Sequence, residues 1–352
     1  MKEKLIEMLA AQGKDLELLL QNSEKIKLEH VGNKVFLRGL IEISNHCSKN
    51  CYYCGIRKGN AKNSRYFLSD DEILNAARYA FEHRFGSIVL QGGELESVKH
   101  TQKITGILRK IRAEFGTDLG ITLSLGEQNK ETLLEWKDAG AHRYLLRIET
   151  SNSDLYYKIH PEDNAHSFDK RIESIELLKE CGYQTGSGVM IGLPFQTLGN
   201  LADDLLFFKK TDIDMCGMGP YIEHEDTPLY QYRHLLLSKE ERFTLALKMI
   251  AALRHLMPDI NIAATTAMQS LHPQGRSLAL KYGANIAMPN LTPTVYRESY
   301  LLYENKPGVA DDSIQAHHKF EKEVESINGV IGYNEWGDSR HFQIKIVSLP
   351  SN

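Results

Sequence analysis

The sequence predicts an α/β fold, a single-domain (βα)8 TIM-type barrel with its active site at the C-terminal ends of the strands. Three observations support this. Short runs of β-branched and apolar residues alternate eight times with amphipathic stretches, the pattern of parallel strands joined by crossover helices, and eight such units can close on themselves. Polar and glycine-rich residues collect where those runs end. No Pro-, Gly- or Ser-rich linker interrupts the 352 residues, which favours one domain; a doubly wound open sheet is the competing arrangement.

The elements follow in chain order. Residues 1–34 read as an N-terminal helical segment, since "MKEKLIEMLAAQGKDLELLL" carries charges in every turn. That mixture lacks the apolar centre of a signal peptide, and nowhere do eighteen apolar residues run together, so the expected location is the cytoplasm, away from membranes. The candidate barrel occupies residues 35–300, with strands at "VFLRGLIEI", "SIVLQGG", "GITLSLG", "RYLLRIE", "TGSGVMIGL", "MCGMGPYI", "INIAATTA" and "NIAMPN". Between strands one and two, Ser69 and Glu72 form a capping box ahead of Ile73, Ala77, Ala80 and Phe81 at helical spacing. Another helix starts at Ser167, carries Ile172, Ile175 and Leu178, and stops at Gly182. Residues 301–352 read as a C-terminal helical extension packing on the barrel.

Composition narrows the function. With 42% hydrophobic and 25% charged residues the chain is globular, and a formal charge of −4 argues against nucleic acid as a partner. Chemistry in a barrel is expected at the strand ends. There the sequence places Gln91-Gly92-Gly93-Glu94, Ser124-Leu125-Gly126-Glu127, Arg147 and Glu149, Gly192-Leu193-Pro194, Pro220-Tyr221, Thr265-Thr266 and Pro289-Asn290.

The first strand runs into "EISNHCSKNCYYCGIRKGN", which holds Cys47, Cys51 and Cys54 of the five cysteines. In a reducing compartment such a cluster suggests metal ligands or redox groups. A structural zinc ion takes four ligands, and adjacent residues such as His46 and Cys47 seldom share one ion. A four-iron cluster on three thiolates leaves one iron open to a substrate. Cys181 and Cys216, in apolar helix and strand contexts, read as small buried hydrophobes.

The C-x3-C-x2-C spacing with Tyr53 before its last cysteine, followed by Gly92-Gly93-Glu94, resembles the radical S-adenosylmethionine (SAM) superfamily. From about residue 31 to about 340 the chain is similar to the HydE family of [FeFe]-hydrogenase maturases, relatives of biotin synthase and methylornithine synthase. The similarity lies in "CSKNCYYCGIRKGN", "TLSLGE", "DAGAHRYLLRIETSN", "GLPFQT", "DMCGMGP", "DTPL", "PDINIAATTAM" and "GANIAMPNLTPTVYR".

The resemblance implies an anaerobic, radical-generating enzyme. Cys47, Cys51 and Cys54 would hold a [4Fe-4S] cluster, and SAM, bound at its open iron and cleaved by one electron, would yield a 5′-deoxyadenosyl radical. Tyr53 would pack by the adenine, Gly92, Gly93 and Glu94 would meet the methionine amino group, and Arg147 and Glu149 would line the ribose. Arg171 would grip the carboxylate, and Ser124 and Met190 would complete the cofactor wall. Thr265, Thr266, Met268, Asn290, Tyr296 and Arg297 would contact the substrate, for this family an iron–cysteine complex bearing carbon monoxide and cyanide. A ferredoxin or flavodoxin would supply low-potential electrons, with a HydF-like scaffold and a HydG-like enzyme as further partners.

Simpler readings of the same residues are a strand-ending turn at Gly92-Gly93, an internal ion pair at Arg147 and Glu149, and a solvated Arg171. The family's Arg-His-Glu-Thr reads Arg147-Ile148-Glu149-Thr150 here, and no cysteines for a second cluster follow near the carboxyl terminus. A HydE-like enzyme with another thiol or amino-acid substrate is one alternative. A non-catalytic iron–sulfur or zinc protein is another.

Overall fold

The computed structural model describes residues 1–304, 306 and 313–348. The strands are β1 (Lys34–Ser44), β2 (Ser87–Gly92), β3 (Gly120–Ser124), β4 (Arg143–Leu145), β5 (Gln184–Ser187), β6 (Met190–Ile191), β7 (Met215–Cys216), β8 (Gly219–Pro220), β9 (Asn261–Ala264), β10 (Ile286–Ala287) and β11 (Val330–Ile331). The sheet runs β1-β2-β3-β4-β5-β7-β9-β10. It closes where β10 pairs in parallel with β1, Phe36 against Ile286 and Leu37 against Ala287. That closure rules out the open sheet, and all eight expected strands take part.

Two of them are broken. The runs expected as single strands five and six each split, so that β6 and β8 pair only with one another beyond the barrel wall. Glycine explains the break: a Cβ on Gly188 would stand 2.0 Å from the carbonyl oxygen of Gly217, so only bare backbone allows this approach.

The helix Asp70–Glu82 begins with the expected capping box, Ser69 N donating to Glu72 Oε2 at 2.7 Å. Ile73, Ala77 and Ala80 are buried, but Ala76 completes that face and Phe81 is 42% exposed. One residue past Ala80 the helix has turned about 100°, which carries Phe81 off the buried stripe and onto Phe115. The helix Phe168–Glu180 starts at its Ser167 cap and ends at Cys181, ahead of a left-handed Gly182 at φ +74°.

The helices Lys2–Ala10 and Gly13–His30 pack on Leu198–Thr211 and Lys239–Leu256. At the other end of the chain, residues expected to be helical also form a strand and a plug. β11 pairs with Lys34 and Val35 of β1. The turn after it then seals the N-terminal mouth, with Arg143 donating to Asp338 Oδ1 at 2.7 Å and to the Trp336 carbonyl at 2.6 Å, and Asn261 to the Gly337 carbonyl at 2.8 Å. The opposite mouth is left for chemistry. No helix among the described residues is long and apolar enough to cross a membrane.

One buried acid braces that mouth from outside. Asp204, fully shielded on the helix Leu198–Thr211, accepts from Ser151 N at 2.6 Å and Ser151 Oγ at 2.7 Å, just after Glu149. Burial pushes its carboxyl up to about 7 despite those hydrogen bonds. A raised folded-state pKa makes the native state hold the proton longer than the unfolded chain, so stability from this group falls as pH rises from about 4 to about 7. Asp204→Asn, which keeps an acceptor and removes the charge, is expected to melt like the wild type below pH 4 and above it at pH 7 and higher. Parallel melting curves across that range provide the test.

Candidate active site

The cysteine loop is fixed to the end of β2, to the end of the helix Ser153–Ile159 and to the segment after Tyr300. Ser48 N donates to the Glu94 carbonyl at 2.8 Å, Glu94 N to Cys47 Sγ at 3.3 Å, Tyr52 N to the Ile159 carbonyl at 2.9 Å and Gly55 N to the Leu302 carbonyl at 3.1 Å. A Cβ on Gly93 would fall 2.2 Å from the His46 carbonyl oxygen and 2.8 Å from Cys47 Cβ, so this glycine brings the end of β2 against the loop. It does more than end a strand.

All three thiols are half-buried. Burial lifts Cys51 to about 12 with the charge of Cys47 adding to it, and it lifts Cys54 well above the thiol range with Cys51 and Cys47 adding. Cys47 is raised too, again by burial. Three thiolates so placed need a cationic partner. Among the described residues no three His, Cys, Asp or Glu side chains converge on a single-ion position. Three thiols in one loop without a fourth cysteine beside them fit a four-iron cluster that keeps one iron open.

Beside them lies a buried square of charge. Lys49 Nζ, from inside the cysteine motif, meets Glu94 Oε1 at 2.9 Å and Glu127 Oε2 at 3.0 Å. Arg171 Nε meets Glu127 Oε1 at 2.9 Å, and its Nη2 meets Glu94 Oε2 at 3.3 Å. None of the four side chains is more than 11% exposed. Burial opposes the charge on Lys49 and on Arg171, but the two carboxylates outweigh it and raise both. Arg171 is thus not a solvated helix residue. Sequence reasoning assigned Lys49 and Glu127 no specific role, although Lys49 stands inside the cysteine motif and Glu127 is the strand-end residue just past the third run.

A cavity of about 190 Å³ opens at the same barrel mouth. Its wall takes Tyr53 and Cys54 from the cysteine loop, Arg147 and Glu149 from the end of β4, Met190 from β6, and Thr265 and Thr266 after β9. Tyr53 OH lies 3.3 Å from His160 Nε2, and His160 Nδ1 donates to the Tyr156 carbonyl at 3.0 Å, so Nε2 accepts from the phenol. Burial pulls His160 down to about 3 and keeps the ring neutral.

Glu149 adopts φ +67°, an uncommon conformation for a side-chain-bearing residue. Its backbone is held there, N donating to the Gly188 carbonyl at 3.0 Å and its carbonyl accepting from Met190 N at 3.1 Å. Arg147 Nη2 stands 2.9 Å from Glu149 Oε2, and burial raises the carboxyl. Arg147 Nε and Thr265 Oγ1 are buried without a hydrogen-bond partner among the described residues, and both residues belong to the cavity wall. Ile148, the departure from the family pattern, is fully buried in the apolar core and does not line the cavity.

Several expected residues lie elsewhere. Gly92 ends β2, and Ser124 pairs in register with Gln91, a cavity residue, without lining the cavity itself. Four residues expected to contact the substrate do not line the cavity. Met268 is fully buried in the core. Asn290 stands behind the wall, donating to Glu42 Oε2 at 3.1 Å. Tyr296 stacks on Tyr66 and donates to Glu72 Oε1 at 2.8 Å, and Arg297 donates to the Thr292 carbonyl at 2.7 Å. Past Ala287 the chain stays paired with β1, Leu40 N donating to the Pro289 carbonyl at 2.8 Å and Leu291 N to the Leu40 carbonyl at 2.7 Å, so Tyr296 and Arg297 come only in the short helix after it and bond to protein. Conversely Glu42, Tyr303 and Lys306 line the cavity and were not anticipated. A roomier cleft of about 640 Å³ lies between the N-terminal helices and Lys239–Leu256 and shares no lining residue with this cavity.

The sequence pattern of the Radical SAM superfamily matches residues 41–208. The [FeFe] hydrogenase maturase subunit HydE of Thermotoga maritima is 46% identical over 290 residues, 82% of this chain and 80% of that protein. The chain belongs to the HydE family of radical SAM enzymes. A more distant relative of this HydE-family chain, 3-methylornithine synthase of Methanosarcina acetivorans, is 29% identical over 273 residues, 77% of this chain and 74% of that one. Among solved structures, methylornithine synthase superposes with a TM-score of 0.80 at 25% identity, covering 99% of this chain and 96% of its own. HydG from Carboxydothermus hydrogenoformans shares the fold, with a TM-score of 0.78 at 20% identity over 95% of this chain and 76% of that one.

Proposed function

We propose that this HydE-family enzyme cleaves SAM reductively at a [4Fe-4S] cluster on Cys47, Cys51 and Cys54 and acts on an iron–cysteine complex bearing carbon monoxide and cyanide during [FeFe]-hydrogenase cofactor assembly. The observation that supports it is the cavity at the barrel mouth in which Cys54 and Tyr53 share a wall with Thr265 and Thr266, in a chain 46% identical to a HydE maturase. When bound, cluster and SAM together supply a carbon-centred radical; the protein supplies place and dryness.

Tyr53, held through its hydroxyl by neutral His160, offers a fixed ring face to the adenine. Glu94 and Arg171 bind the amino and carboxylate groups of SAM, steadied by Lys49 and Glu127. Glu149, locked by its backbone, and Arg147 meet the ribose. Thr265 and Thr266 present hydroxyls to the substrate, Thr266 Oγ1 already paired with Tyr303 OH at 2.8 Å. The proposal extends to a cytoplasmic site, a ferredoxin or flavodoxin as electron donor, and exchange with HydF-like and HydG-like proteins.

A mutase acting on an amino acid is the second reading, favoured by the nearly full-length superposition on methylornithine synthase. Dithionite-reduced holoenzyme, assayed for 5′-deoxyadenosine with and without the iron–cysteine complex, separates them. The complex is expected to change rate and products, and Thr266→Val to suppress that response while SAM affinity holds. If the complex alters neither while SAM is cleaved normally, the maturase reading falls and the second stands.

A further inference from the structure

Glu42 is the least expected member of the cavity wall. It is fully shielded on β1, yet its carboxylate is ion-paired with Lys306, itself only 8% exposed. Asn290 Nδ2 donates to Glu42 Oε2 at 3.1 Å, and Thr292 Oγ1 lies 3.5 Å from the same oxygen. Lys306 Nζ has a second partner, the Tyr300 carbonyl at 3.3 Å. Both side chains line the cavity. Desolvating two charges costs about as much as their attraction returns, so an apolar pair would fill this wall at no loss of stability. Of the two ion pairs there, Arg147–Glu149 is assigned to SAM. Glu42–Lys306 is left over.

We propose that Glu42 and Lys306 are a clamp for an α-amino-acid headgroup, Glu42 receiving its ammonium and Lys306 its carboxylate. Charge balance selects this ligand class. A zwitterion inserted between the partners turns one ion pair into two and leaves the net charge of a low-dielectric cavity unchanged. A lone carboxylate would crowd Glu42 with a second negative charge, and a lone amine would leave Lys306 facing a second positive one. Asn290 and Thr292 keep Glu42 in place when the flexible Lys306 stem shifts towards the ligand. The clamp rests on the substrate occupying this cavity, as proposed above, and it names the recognised end: the amino-acid part of a metal complex or a free amino acid.

The test is calorimetric titration of the SAM-bound holoenzyme with S-methyl-L-cysteine, whose thioether avoids free-thiol chemistry, and with two analogues lacking one charge each. 3-(Methylthio)propionate has no ammonium and 2-(methylthio)ethylamine no carboxylate. Each analogue is expected to bind roughly ten- to hundred-fold more weakly than the amino acid, the loss of one charge-assisted hydrogen bond. Lys306→Met should reduce S-methyl-L-cysteine to the level of the amine, and Glu42→Gln to the level of the acid. Should buried Glu42→Gln fail to fold, Lys306→Met and the wild-type analogue series still decide. The clamp is overturned if S-methyl-L-cysteine does not bind the wild type, if either analogue binds as well as it does, or if Lys306→Met leaves its affinity unchanged. Intact amino-acid binding without any response to the iron–cysteine complex overturns the maturase reading alone, so the two failures are distinguishable.

Discussion

Cys51→Ala is expected to abolish SAM cleavage, and Cys47→Ala and Cys54→Ala to do the same. The three thiols are the only cysteines of this chain at the barrel mouth: Cys181 closes a helix at 3% exposure and Cys216 lies in β7 at 2%. Neither can replace a lost ligand without unfolding its element. With two thiolates a four-iron cluster would have two unprotected irons and no defined open site. Anaerobic reconstitution of the wild type should give one four-iron cluster per chain, with spectra that change on addition of SAM. Cys181→Ala and Cys216→Ala should keep both iron and cleavage at the cost of some packing. Full activity in Cys51→Ala would remove the central assignment, and iron loss in Cys216→Ala would mean that a ligand has been misplaced.

The contrast between these cysteines was legible in the sequence because it is local: three thiols in one loop, two others in apolar runs. The strands were legible for the same reason, each being a short β-branched run with turn residues behind it. What could not be read was whatever depends on elements distant in sequence meeting in space. Gly188 and Gly217 break two strands only because their backbones cross. Asp338 plugs the barrel from a segment with no periodicity of its own. Lys306 reaches Glu42 across 264 residues, and nothing beside either residue announces the pair. Tyr296 and Arg297 are the reverse case: they follow a strand run in sequence, yet they bond to Glu72 and to the Thr292 carbonyl and do not line the cavity.

Arg171 has only neighbouring charges on its own helix Phe168–Glu180, so nothing local in the sequence marks its role. Its guanidinium already serves two carboxylates, Nε with Glu127 at 2.9 Å and Nη2 with Glu94 at 3.3 Å. An arginine has five N–H donors, so capacity remains for the SAM carboxylate. Arg171→Ala therefore does two things. It leaves buried Glu94 with Lys49, and buried Glu127 with Lys49 and the half-exposed Lys170 at 4.0 Å, and breaking a buried pair from one side costs about 3–5 kcal/mol. It also removes a charge-assisted hydrogen bond to SAM, about 1.5–3 kcal/mol or roughly ten- to hundred-fold in affinity. Arg171→Lys separates the effects: a point charge can still balance the carboxylates, but it cannot reproduce the planar fork that reaches several acceptors at once. Melting curves should place the lysine variant near the wild type and the alanine variant well below it, while calorimetric titration with SAM should show both weakened. An alanine variant that melts and binds SAM like the wild type would show that the buried square neither holds the cysteine loop nor receives the cofactor; a lysine variant as unstable as alanine would mean that geometry rather than charge keeps Glu94 and Glu127 in place.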